Sequence, residues 1–385
     1  MSALVDESVL DDPAALEAAD PAGMLRAVAS AGAQVRESAR RTAETDLAGV
    51  LAEGRPRALV VAGMGGSGMA GEVLGAVAGT ACPVPVSVVR GYRLPGWVGP
   101  MDLVVGVSCS GTTAETLTVT DEAVRRGCRV VTVGRPGSPL AERAAGGRAP
   151  HVEVDPNGRA PRSNLWSLSV PLLVLADALG VVSCPGGVLE SVADRLDRDS
   201  AACGPGVETY DNPAKRLALD LAGKLPLVWG STDLAGAAAY RLACQLAENA
   251  KYPSVAGTLP EAHHNQVVAF AGAFGASATD RHDTGDDIFR DRVDDAPSWP
   301  RLRLVLLRDN DELPELARRR EATIGLAEEH GVGVQEIAAS GEHPLERLAS
   351  LVGPTDLASV YLALAQGIDP TPVEPITTLK ERTRT

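Results

Sequence analysis

Lysine, aromatic residues and long apolar runs are all scarce in this chain. Of its 36 basic residues only four are lysines (Lys215, Lys224, Lys251 and Lys380), and aromatic residues make up 3% of the 385 positions. A core with few aromatics is built mainly from Ala, Val and Leu, which is typical of helices packed on parallel sheets. A membrane span needs a run of about 18 apolar residues, and the chain has none, so we expect no membrane partner.

Net positive charge and paired cysteines are also missing. The net charge is −14, and no basic stretch could neutralise the phosphates of a nucleic acid, so this class of partner is excluded. The six cysteines form no C-x-x-C pair, which favours reduced thiols. The first 21 residues have neither a basic start nor an apolar core, so we expect no signal peptide and a cytoplasmic location.

Apolar runs that end in glycine or serine alternate with helical segments along most of the chain. Such alternation predicts right-handed βαβ units and an α/β fold with mostly parallel sheets flanked by helices. The predicted strands lie at 57–63, 85–92, 102–108 and 128–134, and again at 224–230, 301–309 and 332–338.

The two groups of strands predict two α/β domains. An apolar helix at 163–180 closes the first group, and a breaker-rich stretch follows it. The polar, acidic segment 272–300 is predicted to be a surface excursion. The expected order is a helical N-terminal segment (1–55), a first domain (30–180), a linker or helix (181–204), a second domain (205–370) and a C-terminal tail (371–385).

The segment VVAGMGGSGMAGEVL (60–74) leads from a strand through glycines to a helix. Gly65 and Gly66 permit backbone angles and close approaches that a side chain would block, and Ser67 follows them at the helix start. Free amides at a helix N-terminus bind anions, which predicts a phosphate cradle. A tight strand-to-helix turn explains the pattern equally well. The absence of a clear acidic residue after the second strand disfavours a dinucleotide site.

A second strand-to-helix junction, GVSCSGTTAETL (106–117), is rich in hydroxyls. It presents Ser108, Ser110, Thr112 and Thr113, which would converge with the first junction at the carboxyl edge of a parallel sheet. Simple helix capping is the alternative, but two such junctions in one domain favour a phosphate site.

The segment CQLAENAKYPSVAGTLPEAHHNQVVAF (244–270) places carboxylates and imidazoles close in sequence. Glu248 lies late on a largely apolar helix, where a carboxylate is costly unless it is paired or functional. Together with His264 it would suit proton transfer beside a carbonyl, although a helix end and a polar loop explain the pattern equally well. A zinc site at His263 and His264 is disfavoured because adjacent side chains point apart.

The C-terminal segment combines a stiff extended stretch, IDPTPVEPI, with a short amphipathic turn that carries Lys380. Polar tails usually fray. A proline-stiffened approach to one of only four lysines favours a tail that docks at the active site.

Four motifs, in this order, resemble the bifunctional phosphoglucose/phosphomannose isomerases of the sugar-isomerase (SIS) superfamily. They are GMGGSGMAGE, SCSGTT-x-ET, ENAK…LPE-x-x-HN and GIDPTPVEPI…LK, and the resemblance runs from about residue 57 to 380. It implies two SIS domains and an aldose–ketose isomerase. Such an enzyme interconverts glucose 6-phosphate, mannose 6-phosphate or both with fructose 6-phosphate, without metal or organic cofactor.

The resemblance also implies roles for individual residues. Glu248 would move a proton through a cis-enediol intermediate. His264, donated by the neighbouring subunit of a homodimer, and Lys380 would assist ring opening. Arg162, or failing that Arg159, would stabilise the enediolate. The sugar phosphate would be held by Gly65, Gly66, Ser67, Ser108, Ser110 and Thr113.

Three positions depart from the family pattern. Cys109 stands where the family usually has an aromatic residue, and Gln266 stands where it usually has a glutamate. Ala247 precedes Glu248, at a place where the family usually has Asn or Glu-rich neighbours. These departures leave two alternatives open. One is an isomerase for mannose 6-phosphate alone or for another sugar phosphate. The other is a catalytically silent sugar-phosphate regulator, which the absence of a helix-turn-helix before the first domain disfavours.

Overall fold

The structure is a computed structural model that describes residues 5–275 and 300–383. It divides into two compact units, each built on one parallel sheet. The five-stranded unit comprises Gly23–Ser200 and Glu342–Ala349, and the four-stranded unit comprises the described parts of Met1–Ala22, Ala201–Gly341 and Ser350–Thr385. Residues 276–299, the greater part of the acidic excursion, lie outside the described residues.

The five-stranded unit alternates strands and helices after an initial run of short helices. Its sheet has the order β2-β1-β3-β4-β5, and all neighbouring strands are parallel. Its elements are α2 (Met24–Ala29), α3 (Ala31–Glu44), α4 (Ala48–Ala52), β1 (Leu59–Ala62), α5 (Gly66–Ala78), β2 (Val86–Val89), β3 (Leu103–Ser108), α6 (Ala114–Arg125), β4 (Arg129–Gly134), α7 (Pro139–Gly146), β5 (His151–Glu153), α8 (Leu165–Ala178) and α9 (Gly186–Ala202), of which the last two residues belong to the other unit.

The central strands are buried on both faces, which explains their continuous apolar sequences. Every residue of β1, β3 and β4 is buried, whereas each residue of the edge strand β2 is only partly buried. The parallel register pairs Val60 with Val104, and Val104 with Val130. The carboxyl ends of β1 and β3 therefore meet at one edge of the sheet, and both phosphate-cradle loops leave from that edge.

The four-stranded unit has the strand order β7-β6-β8-β9, again with all neighbours parallel. Its elements are α1 (Pro13–Ala19), α10 (Pro213–Leu221), β6 (Lys224–Gly230), α11 (Asp233–Asn249), β7 (Val255–Thr258), β8 (Arg301–Arg308), α12 (Pro314–Glu329), β9 (Gly333–Ala338), α13 (Pro344–Ala365), whose first six residues belong to the other unit, and α14 (Glu374–Arg382). Residues 5–11 also belong to this unit, where Asp11 accepts hydrogen bonds from the backbone amide and the hydroxyl of Thr209.

Pro171 lies inside α8 and removes the amide that would bond the carbonyl of Ser167. The hydroxyl of Ser38, on α3, supplies the missing donor at 2.8 Å, and Ser38 is only 4% exposed. This bond explains how a buried helix tolerates proline, because every buried carbonyl needs a partner.

A polar seam crosses the contact between α11 and α13. Arg241 forms a two-pronged ion pair with Asp356, and Asn249 donates a hydrogen bond to the hydroxyl of Ser359 at 2.9 Å. Burial raises the pKa of Asp356, while the guanidinium of Arg241 opposes that rise. Such pairs give little net stability but define one register between two apolar helices. The seam therefore sets the position of the end of α11.

A search of residues 5–275 and 300–383 finds one helix that is long and apolar enough to cross a membrane. This helix is α13, with a mean hydropathy of 1.4 in its most apolar window, and 89% of that window is buried inside the protein. The core helices of soluble proteins pass the same test.

The prediction of an α/β fold with two parallel sheets flanked by helices is confirmed. All seven predicted strands are present. The short strands β5 and β7 were not predicted, because they lie at sheet edges and have no run of buried apolar residues. The exact domain boundaries stay a prediction. The predicted surface excursion lies mostly at 276–299, outside the described residues, and also stays a prediction.

Candidate active site

The glycine-rich loop after β1 is a sharp turn that only glycine adopts easily. Gly65 has φ of +53° and immediately precedes α5, so the first amides of that helix point away from the strand. Ser67 is 6% exposed, and its hydroxyl accepts a hydrogen bond from the amide of Cys109 at 3.2 Å. The loops that follow β1 and β3 are thus joined directly, as the sequence predicts.

The loop after β3 divides its hydroxyls between inner and outer positions. Ser108 is fully buried, shares a hydrogen bond with Thr113 at 2.9 Å and accepts one from the amide of Gly111 at 3.0 Å. Ser110 is exposed and lies 3.0 Å from the hydroxyl of Thr112. Ser108 therefore holds the loop in shape, and Ser110 and Thr112 face outward where an anion could meet them.

Arg162 lies beside the first loop, on a single 3₁₀ turn (Pro161–Ser163). A side chain on Gly66 would come within 3.1 Å of the carbonyl oxygen of Pro161 and 3.5 Å of Cα of Arg162. A side chain at position 66 would therefore force this turn to move by a few tenths of an ångström. The turn is held from its other side by Gln34, whose Nε2 donates to the carbonyl of Ser163 at 2.8 Å. No sequence pattern indicates this role of Gln34.

Arg159 interacts electrostatically with Cys109, in the loop that follows β3. Its Nε donates to Oδ1 of Asn164 at 2.9 Å, and burial lowers the pKa of its guanidinium, which stays charged at neutral pH. Burial raises the pKa of the Cys109 thiol to about 11, against the opposing fields of Arg159 and Arg135. Two cations therefore act on the loop that carries Ser108 and Ser110. The choice between Arg162 and Arg159 for the enediolate stays a prediction.

Glu248 occupies the last turn of α11 and is half-buried. Around the helix, Arg241, Gln245 and Asn249 form the polar stripe that faces inward, and all three are buried. Glu248 follows Arg241 by two helical turns, so it lies on the side of α11 that carries this stripe. The helix therefore sets the position of its carboxylate.

His263 and His264 are adjacent but have different surroundings. His263 shares a hydrogen bond with the hydroxyl of Thr323 and packs edge-to-face on Trp229, with ring centroids 6.2 Å apart. Burial lowers the pKa of His263, so it is neutral at physiological pH. His264 is exposed. In the described part of the chain, no group of three or more His, Cys, Asp or Glu side chains is arranged to hold a metal ion.

Lys380 lies on α14, where no residue is buried. Ile376 is 42% exposed and Leu379 is 63% exposed on the same helix. The predicted amphipathic helix is present, and its docking at an active site stays a prediction.

Comparison with known proteins identifies the family. Residues 210–383 match the model of the bacterial phospho-glucose isomerase C-terminal SIS domain. The bifunctional phosphoglucose/phosphomannose isomerase of Caldicellulosiruptor bescii is 31% identical over 84% of this chain and 88% of its own length. The enzyme of the same name from Aquifex aeolicus is 29% identical over 84% of this chain and 90% of its own length.

This chain belongs to the bifunctional phosphoglucose/phosphomannose isomerases. A solved glucose-6-phosphate isomerase from Chlamydia trachomatis has the same fold, with a TM-score of 0.64 and 15% identity over 90% of this chain and 72% of that one. The family predicted from the four motifs is therefore confirmed, as is the class of sugar-phosphate isomerases. The residue roles within that class stay predictions.

Proposed function

We propose that this chain interconverts glucose 6-phosphate and mannose 6-phosphate with fructose 6-phosphate. The observation that carries the proposal is the bond between Ser67 and the amide of Cys109, which joins two hydroxyl-rich loops at one sheet edge. Family membership supplies the reaction class, and these loops supply a site for the phosphate.

The two loops suit a phosphate dianion. The N-terminal amides of α5 and the hydroxyls of Ser110 and Thr112 offer neutral donors at a helix end, where a negative charge is favoured. Gly65, Gly66, Ser67, Ser108 and Thr113 shape these loops. Such a site binds one phosphate in spite of the net charge of −14.

The proton transfer would fall to Glu248. Once the sugar ring is open, its carboxylate takes the proton from C2 of the aldose, and a cis-enediol forms. The same proton returns to C1 while the hydroxyl proton of O2 moves to O1, which yields the ketose and leaves the carboxylate unchanged. A positioned base contributes roughly 10²–10⁴-fold to such a rate. A guanidinium, from Arg162 or Arg159, would stabilise the enediolate charge.

Ring opening needs a proton on the ring oxygen and removal of one from the anomeric hydroxyl. We assign this exchange to His264 and Lys380, which are both exposed in the single chain. Exposure of His264 fits a residue that completes the site of a partner subunit. The proposal therefore includes a homodimer, without metal or organic cofactor, in the cytoplasm.

A coupled assay tests the function. Purified protein would be supplied separately with glucose 6-phosphate and mannose 6-phosphate, and formation of fructose 6-phosphate measured. Comparable turnover of both substrates is expected. Turnover of mannose 6-phosphate alone would show that the enzyme does not accept glucose 6-phosphate. A lack of turnover with both, combined with thermal stabilisation by fructose 6-phosphate, would favour a silent regulator.

A further inference from the structure

The ammonium group of Lys251 gathers four backbone carbonyls from two distant parts of the chain. It lies 3.0 Å from the carbonyl oxygen of Glu248 and 3.2 Å from that of Asn249, at the end of α11. It also lies 3.3 Å from the carbonyl oxygen of Asp369 and 3.2 Å from that of Pro370. The two pairs of carbonyls are separated by more than 110 residues in sequence.

This arrangement suits a lysine better than any other residue. The last carbonyls of a helix have no partner within the helix and carry a partial negative charge, which a cation stabilises. An ammonium has three hydrogens that rotate freely, so it can serve carbonyls converging from several directions. Lys251 also has φ of +54°, a conformation that non-glycine residues adopt rarely. The backbone turn thereby directs its side chain back over the helix end.

The two segments that meet at Lys251 are those that bear proposed catalytic residues. One carries Glu248 on α11. The other, which starts at Asp369, leads through a proline-rich stretch to α14 and Lys380. Because α14 has no buried residue, its own packing within the chain does little to fix where this segment begins. Pro370 is buried beside the ammonium.

We infer that Lys251 is a positioning residue that anchors the start of the C-terminal segment to the helix carrying Glu248. In this role its ammonium binds backbone carbonyls of both segments and takes no part in proton transfer. The inference rests on the proposed function, since it assumes that Lys380 acts in ring opening. If Lys251 has this role, loss of its ammonium and loss of the C-terminal segment should both slow the ring-opening step.

Three variants of the full-length enzyme test this inference. Lys251→Met removes the ammonium and keeps the aliphatic stem. A chain ending at Val373 lacks α14, and the third variant combines both changes. Lys224→Met is the matched control, because Lys224 is exposed at the start of β6 and is assigned no catalytic role. Activity is measured as kcat and KM for glucose 6-phosphate, and amide hydrogen exchange is followed over residues 371–379.

We expect Lys251→Met to lower kcat roughly 10- to 100-fold with little change in KM, because a catalytic group is misplaced while the phosphate cradle is intact. The truncated chain should lose a similar factor, and the combined variant should lose no more than either change alone. Amides 371–379 should exchange faster in Lys251→Met than in the wild type or in Lys224→Met.

Three results would overturn the inference. They are a Lys251→Met enzyme with the kcat of Lys224→Met, losses that multiply in the combined variant, and unchanged exchange over 371–379. If Lys251→Met does not fold, Lys251→Gln is subjected to the same measurements. A wild-type protein inactive on both sugar phosphates would refute the proposed function, and hydrogen exchange would then still decide whether Lys251 anchors the segment.

Discussion

Trp229 and Gln266 are joined by a hydrogen bond of 2.7 Å from the indole Nε1 to the amide Oε1. The Nε2 of Gln266 donates in turn to the carbonyl of Ala256, at 3.1 Å. Gly257 makes room for this arrangement, since a Cβ there would lie 2.7 Å from the Gln266 oxygen. Gln266 is thus both acceptor and donor, and it fixes the turn that follows His264.

Gln266→Glu should destabilise the protein increasingly as the pH rises. A protonated carboxyl can still accept from Trp229 and donate to Ala256, whereas a carboxylate faces the Ala256 carbonyl with no hydrogen to offer. The partly buried site therefore raises the pKa of the new carboxyl in the folded protein. Stability is fully present below the ordinary pKa of an unfolded glutamate and is lost as the pH rises from there through the raised pKa. The loss should reach about 1–3 kcal/mol above the pKa, measured by urea unfolding across the pH range.

Gln266→Met provides the matched control for this prediction. It removes both hydrogen bonds at similar volume, so its loss of stability relative to the wild type should not vary with pH. If Gln266→Glu shows the same flat profile as Gln266→Met, the donor to the Ala256 carbonyl is not what makes glutamine the better residue at this position.

Glu248→Gln should abolish turnover and leave substrate binding nearly intact. Only proton transfer requires the carboxylate, and its loss should lower kcat by about 10²–10⁴-fold or more. Binding of fructose 6-phosphate is measured by calorimetry. Glu329→Gln, at an exposed site near the end of α12, is the control. Equal turnover of Glu248→Gln and Glu329→Gln would remove Glu248 from the mechanism.

Ser38→Ala should destabilise the five-stranded unit by about 1–3 kcal/mol, because the buried carbonyl of Ser167 loses its donor. Pro171→Ala restores a backbone amide four residues after Ser167. In the Pro171→Ala protein, Ser38→Ala should therefore lower the free energy of unfolding much less. Urea unfolding of the two single variants and the double variant measures this coupling. Equal losses in both backgrounds would show that Ser38 does not compensate for Pro171.

Cys109 should resist alkylation in the native protein at pH 7.5. Its thiol has a pKa of about 11 and the residue is 4% exposed, so almost no accessible thiolate is present. Iodoacetamide labelling followed by mass spectrometry of the peptide containing Cys109 provides the measurement, with urea-unfolded protein as the control. Rapid labelling of the native chain would show that the loop after β3 opens readily.

Elements that depend on residues close together in the chain were predictable, and elements that depend on distant residues were not. The strands β1, β3 and β4 were predictable because burial on both faces requires an apolar residue at every position. The strands β5 and β7 were not, because most of their residues are exposed or only partly buried and each strand is held by its one neighbour in the sheet. In the same way, Gln34 and Ser38 look like ordinary polar positions on α3.

The α/β fold class, the two glycine- and hydroxyl-rich loops and the family all follow from the order of amino acids, because each depends on short motifs whose residues are close together in the chain. Tertiary structure decided which groups act on one another. It gave His263 a buried partner and left His264 exposed, paired Gln266 with Trp229, and brought the carbonyls of Asp369 and Pro370 to Lys251. The physical reason is that hydrogen bonds and burial depend on neighbours in space, and these neighbours lie up to 119 residues apart in sequence.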